Sequence, residues 1–324
     1  MGAIDTSTTT RHAAGTHSRV LIVAWGALGA ALLAIVMGAV VRGTLSGDGC
    51  GNSWPGCQGA IIPRSGDNAQ FIEFSHRVVS GISLVVTVGL VVAVLRAFRS
   101  PHPARKAALY SLAFLLAEAL IGAVIVLYGW VAHDRSAARQ ISVPLHVVNT
   151  FLLTASLALT IWLVAGRATP RLRGQRKLLT RIAILAALML LVAATGATTS
   201  VADTLFGADS VREGIQQDLS SQSALIVRLR VLHPVIAVTT GILLAAFARA
   251  HLDEAERRGL AWPAWVLMLG VAGQAALGFL HIALLTPLAT ALVHLAVAQV
   301  LWLALVFLAV ILLSPLPEER RSEA

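Results

Sequence analysis

Charge is scarce in this sequence. Of 324 residues only 13% are Asp, Glu, Lys or Arg, 57% are hydrophobic, and mean hydropathy is +0.79. Soluble domains carry about 25% charged residues, so a water-surrounded globular fold is excluded and the chain reads as an integral membrane protein. No polar stretch between its apolar runs is long enough for a large soluble domain. Aromatic residues do not interleave with the basic ones, which lie against the ends of apolar runs, and this excludes nucleic acid as a partner despite the net charge of +9. Cysteine is limited to Cys50 and Cys57, seven positions apart.

A bilayer crossing needs about 20 apolar residues. Eight runs qualify, at about 20–41, 72–95, 107–130, 142–165, 182–202, 225–248, 262–285 and 289–313. The first is too long for a signal-peptide core, so the Thr-rich segment 1–19 is expected to stay as an uncleaved, disordered tail. Alternate loops hold 17 and 8 basic residues, and the positive-inside rule then places both termini in the cytoplasm. The resulting organisation is a tail at 1–19, a four-helix half at 20–166, a basic cytoplasmic linker at 167–181, a second four-helix half at 182–313 and a cytoplasmic tail at 314–324.

This topology puts "GDGCGNSWPGCQG" outside the cytoplasm, in the first loop. A Cys50–Cys57 disulfide in that oxidising compartment would contribute about 2–3 kcal/mol by the loop-entropy estimate. The alternative, a metal pair, matches no common zinc spacing, since no histidine lies nearby.

Ten histidines are present, and His12, His17, His102, His133 and His251 fall in tails or loops. His76, His146, His233, His281 and His294 lie in apolar runs, where an ionisable residue is a functional candidate by default. Four of these, in "EFSHRVV", "SVPLHVVNT", "RVLHPVI" and "TALVHLAVA", each sit one to two turns from the start of an even-numbered run, and so share one depth. His281 breaks the pattern and reads as a packing or supporting residue.

Internal similarity groups these four. "MGAVVRGTLSG" around Gly38 precedes His76 by 38 residues, and "ATGATTSVAD" around Gly196 precedes His233 by 37. "LLAEALIGAVI", with Glu118 and Gly122, likewise matches "VAGQAALGFLHI", with Gln274 and Gly278. The expected fold is therefore an all-α integral membrane protein of eight transmembrane helices, arranged as two parallel-repeat four-helix bundles. Two facing imidazoles in a four-helix bundle can ligate an iron porphyrin. A lone zinc or copper ion usually wants three or four ligands, and the second histidine pair has none to add. Gly81, Gly122, Gly241 and Gly278 suit either ring clearance or close helix packing. Arg77, Arg228 and Arg230 are candidates to pair with porphyrin propionates, with snorkelling toward the interface as the alternative. Only the first half has a carboxylate, Glu73, three residues before its histidine and on the same helix face; it is placed equally well to pair with Arg77.

These motifs together resemble the heme A synthases, which convert heme O to heme A for cytochrome aa3-type oxidases. The carrying segments are "VVRGTLSGDGCGNSWPGCQGAIIP" at 40–63, "EFSHR" at 73–77, "PLHVVNT" at 144–150, "RVLHPV" at 230–235 and "ALVHLAVAQ" at 291–299. The resemblance implies that His233 and His294 hold a resident heme B in the second half. It implies that His76 and His146 surround the heme O substrate in the first half, that Glu73 is needed for turnover, and that Cys50 and Cys57 are bonded. It further implies oxidation of a porphyrin methyl to a formyl group by successive hydroxylations in the cell's inner or plasma membrane. Heme O synthase, the oxidase assembly machinery and a membrane electron carrier are then the expected partners, and a homo-oligomer is left open. Some members carry a second cysteine pair in the later outer loop, which this sequence lacks. Two other classes remain at this point: a diheme cytochrome b that relays electrons from quinol, and a parallel-repeat transporter with proton-coupling histidines.

Overall fold

The computed structural model describes residues 6–60, 62–63 and 67–315, with side chains from His17 onward. Among these residues there is no strand, only an isolated bridge between Cys57 and Ala60. The helices are α1 (Thr6–Gly43), α2 (Asn68–Ala97), α3 (Pro103–Leu127), α4 (Ala137–Val164), α5 (Arg176–Leu205), α6 (Val211–Leu219), α7 (Leu225–Arg228), α8 (Leu232–Ala250), α9 (Leu252–Arg257), α10 (Trp262–Ala283) and α11 (Leu288–Leu313). Eight segments are long and apolar enough to cross a bilayer: His17–Gly43 of α1, then α2, α3, α4, α5, the α7–α8 unit Leu225–Ala250, α10 and α11. The chain is a multi-pass membrane protein. Isoleucine and valine side chains such as Ile22, Val85 and Ile184 point outward, as a lipid-facing surface requires.

Element ends run past the apolar runs read from sequence. α1 extends back to Thr6, into the segment assigned above to a tail, because an established helix propagates at little cost per residue; residues 1–5, and the last tail from 316 on, lie outside the described residues. α2 and α4 begin earlier than their apolar stretches because capping residues start them. Asp67 accepts from the Ala69 N–H at 3.0 Å and Ser136 from the Arg139 N–H at 3.3 Å. The early start of α4 puts Arg139 on helix rather than loop. The sixth span is broken by a 3-10 turn at Leu229–Val231, just before Pro234. Proline has no N–H for the Arg230 carbonyl and its ring crowds that group, so the first turn tightens there.

α1 to α4 pack in chain order as one group, and α5, α8, α10 and α11 as another. The groups join through α4, which packs on both α5 and α11. α4 and α11 are the most enclosed spans, 72% and 61% buried over their most apolar windows. Two polar contacts fix their register: Trp302 Nε1 donates to the Phe151 carbonyl at 2.7 Å, and Thr154 Oγ1 to Gln299 Oε1 at 3.2 Å. Where neither water nor lipid offers a partner, such bonds specify one packing over its neighbours.

Candidate functional site

One cavity of about 1440 Å³ runs through both helix groups and is lined by His76, His146, His233, His281 and His294. Each of the four histidines matched by sequence lies within the first ten residues of its span, toward the end of the bundle that carries the Cys50–Cys57 loop. Each also faces a glycine on the preceding span. A methyl carbon placed on Gly38 would lie 3.1 Å from His76 Cε1, on Gly122 3.9 Å from His146 Cε1, on Gly196 2.9 Å from His233 Cε1, and on Gly278 3.3 Å from His294 Cε1. The small residues thus divide by role. Gly122 and Gly278 clear a ring, Gly241 lets α8 approach Val271 on α10, and Gly81 faces open space on the cavity wall.

His233 and His294 have ring centroids 6.3 Å apart with planes at 74°. Two imidazole nitrogens sharing a metal at about 2 Å each put their centroids roughly 6 Å apart. The Nδ1 atoms of His76, His146 and His294 are buried without a hydrogen-bond partner, a costly arrangement unless a ligand completes it. His233 Nδ1 is 3.3 Å from Thr195 Oγ1. Among the described residues no group of three His, Cys, Asp or Glu could hold a lone metal ion. Paired rings, ring-clearing glycines and an apolar cavity fit a planar iron porphyrin better than a bare ion.

His281 is on the same cavity, its centroid 6.4 Å from that of His294, and its Nδ1 lies 2.7 Å from Thr290 Oγ1. Reading by depth alone set it apart because it enters on an odd-numbered span; the helix end brings it back to the pair.

The first half is furnished with carboxylates. Glu73 is 2% exposed, accepts from the Cys50 N–H at 2.7 Å and pairs with Arg77 one turn along α2. Arg77 also donates to the carbonyls of Ser53, at 2.7 Å, and Gly56. Glu73 and Arg77 together therefore clasp the loop closed by the Cys50–Cys57 disulfide, which the structure contains. Glu118 on α3 accepts from Asn149 at 2.5 Å and from Thr150, and its Oε2 lies 3.3 Å from His146 Nδ1. That last contact falls within ion-pair range but outside hydrogen-bond geometry, since His146 Nδ1 finds no aligned acceptor. In the second half Gln274 takes the place of Glu118 and donates to the His294 carbonyl at 3.0 Å.

The three candidate arginines are placed differently. Arg77 lines the cavity but is engaged by Glu73 and the loop. Arg230 lines it and is held by Asp203 at 3.0 Å and Asp218 at 2.8 Å, with Gln217 of α6 at 3.1 Å. Arg228 is exposed and lies off the cavity wall. Sequence reading passed over Arg42 and Arg139, counting them only toward topology; both line the cavity. Asp203 and Asp218 were missed too, since isolated acids beside a span end carry no periodic signal. Their position would have followed from asking what neutralises Arg230.

The family model described as "Cytochrome oxidase assembly protein", COX15-CtaA, matches residues 21–306. A protoheme IX farnesyltransferase of Thermus thermophilus is 38% identical over 293 residues, covering 88% of this chain and 47% of that protein. The chain thus spans about half the length of that relative. Heme A synthase of Staphylococcus carnosus is 37% identical over 135 residues, 41% of each chain. Heme A synthase of Staphylococcus haemolyticus is 44% identical over 91 residues, 28% of this chain and 30% of the other. With eight spans and four glycine-faced histidines on one cavity, and a family match reaching from the first span to the last, the chain belongs to the COX15-CtaA family of cytochrome oxidase assembly proteins.

Proposed function

We propose that this protein is a heme A synthase, oxidising the methyl group of heme O to the formyl group of heme A by successive hydroxylations in support of cytochrome oxidase assembly. The observation that carries the reading is the pairing of histidines from each half on one cavity, with Glu73 and Glu118 adjoining the first pair while the second half's carboxylates, Asp203 and Asp218, are tied up by Arg230. The volume, about 1440 Å³, exceeds the usual ligand pocket of about 300–1,000 Å³, as two macrocycles would require.

In this reading His233 and His294 would hold heme B, which when bound supplies one-electron transfer. His76 and His146 flank the substrate, with Gly38 and Gly122 leaving their rings room to face it. Glu118 orients the His146 side of the site through its bonds to Asn149 and Thr150. Glu73 sits at the loop end, where a carboxylate can take or hold a proton, and Arg77 together with the disulfide loop shields it from water. The bias of basic residues supports cytoplasmic termini, and hence a site opening toward the outer side of the inner or plasma membrane.

The match covers 47% of the Thermus farnesyltransferase and leaves the rest of that protein outside it. A pure electron relay would give no reason for carboxylates beside one histidine pair alone. The test is expression alongside a source of heme O, followed by heme extraction and chromatography. Heme A is expected, and its absence from a well-folded, heme-loaded preparation refutes the proposal.

A further inference from the structure

Four carboxylates line the cavity, and each is already held: Glu73 by Arg77 and the Cys50 N–H, Glu118 by Asn149 and Thr150, Asp203 and Asp218 by Arg230. Two arginines on the same wall make no ion pair among the described residues. Arg42, in the last turn of α1, has a buried Nε with no partner. Arg139, in the first turn of α4, is 2% exposed and donates only to carbonyls, those of Ala132 and, at 2.9 Å, Asp134. No carboxylate among the described residues lies within ion-pair distance of either; Asp134 attracts Arg139 only from beyond that distance, and the two cations repel one another. Burying like charges together is expensive unless an anion comes between them.

We infer that Arg42 and Arg139 form a carboxylate-binding pair that anchors the two propionates of the substrate porphyrin in the first half. The inference rests on the reading of that half as the porphyrin substrate site. Register supports it. Arg42 lies one turn beyond Gly38, the residue against His76, and Arg139 seven residues before His146, about 10 Å along the helix. A propionate carboxylate reaches a comparable distance from the centre of a macrocycle. Both arginines lie toward the loop end, so a ring between His76 and His146 would point its acidic edge at them and its apolar edge into the bundle. At the matching offsets from Gly196 and His294 the second half has Ser200 and Pro287, so the pair belongs to one site. Arg77, an obvious candidate by sequence, is instead committed to Glu73 and the loop.

The test titrates the full-length protein, with whatever heme it holds as purified, against zinc protoporphyrin IX and its dimethyl ester. Wild type is expected to bind the diacid at least about tenfold more tightly than the diester. Arg42→Gln combined with Arg139→Gln should remove the preference, and Arg42→Lys should keep part of it. Equal binding of the two ligands by wild type, which needs no variant to fold, overturns the inference; so does a preference that survives the double substitution in protein retaining its disulfide. Heme A production is scored separately. Product without a diacid preference sinks the pair and leaves the enzyme reading standing, whereas an Arg-dependent preference without product does the reverse.

Discussion

The four glycine–histidine contacts form a graded series, and alanine at each glycine should produce a graded response. Replacing a helical glycine by alanine favours the helix by about 1 kcal/mol, while overpacking a fitted site costs about 1–3 kcal/mol. At Gly122 the new methyl would sit 3.9 Å from the His146 ring, an ordinary contact, so the helix gain is kept and thermal stability should rise. At Gly278 the distance is 3.3 Å and the two effects roughly cancel. At Gly38 it is 3.1 Å, and at Gly196 it is 2.9 Å to Cε1 with Nδ1 at 3.3 Å and Nε2 at 3.5 Å, so the His233 ring must retreat as a whole. Gly196→Ala should therefore destabilise by up to about 2 kcal/mol net and lower the heme bound per chain. Gly273→Ala, with nothing within 4 Å, serves as the control. The assay is the thermal midpoint of each purified variant in detergent together with its heme content. Gly122→Ala as damaging as Gly196→Ala, or Gly196→Ala indistinguishable from the control, would refute the argument that these glycines set ring positions.

His233→Ala and His294→Ala are each expected to abolish tightly bound heme B, read from the reduced absorption spectrum; an unchanged spectrum in both removes them as ligands. Glu73→Ala should leave that heme in place while stopping heme A formation, and unimpaired product would rule out a catalytic role. Cys50 and Cys57 should resist alkylation until reduced, so two free thiols in membrane-isolated protein would contradict the bond between them. Trp302→Phe removes the Nε1 donor to the Phe151 carbonyl, which keeps its bond from Thr154 Oγ1, and should cost about 0.5–1.5 kcal/mol, measured as a lowered thermal midpoint with heme content unchanged at low temperature.

The spans were legible because apolar length is a one-dimensional property, and eight stretches stand out between charged boundaries. The histidine depth was legible for a related reason: distance from a span end can be counted along the chain. What the sequence could not convey is which side chains satisfy one another across helices. Arg230 looked available until Asp203, 27 residues earlier, and Asp218 on the short helix α6 were found on it. His281 looked misplaced until α10 and α11 brought it to His294. Arg42 and Arg139 were visible only as topology markers, because the absence of a counter-ion is a statement about space.

Charge, more than shape, separates the two halves. At the position three residues before the histidine the first half has Glu73 and the second has Arg230, each buried and each tying its span to the loop end, Glu73 through the Cys50 N–H and Arg230 through ion pairs. Glu73 binds its Arg77 within α2 and reaches the disulfide loop through the Cys50 N–H, whereas Arg230 reaches α5 and α6 through Asp203 and Asp218. Both ends are thereby closed, but with opposite sign at the group nearest the histidine. A helix pair meant only to hold a macrocycle has no use for that inversion, since either polarity would serve the packing. In the proposed reading, a carboxylate beside His76, a second one beside His146, and arginines without an ion pair above them suit the first half of the cavity to handling protons and acidic ligands. The second half, with its charges paired off and glutamine in place of Glu118, would then suit a permanent occupant.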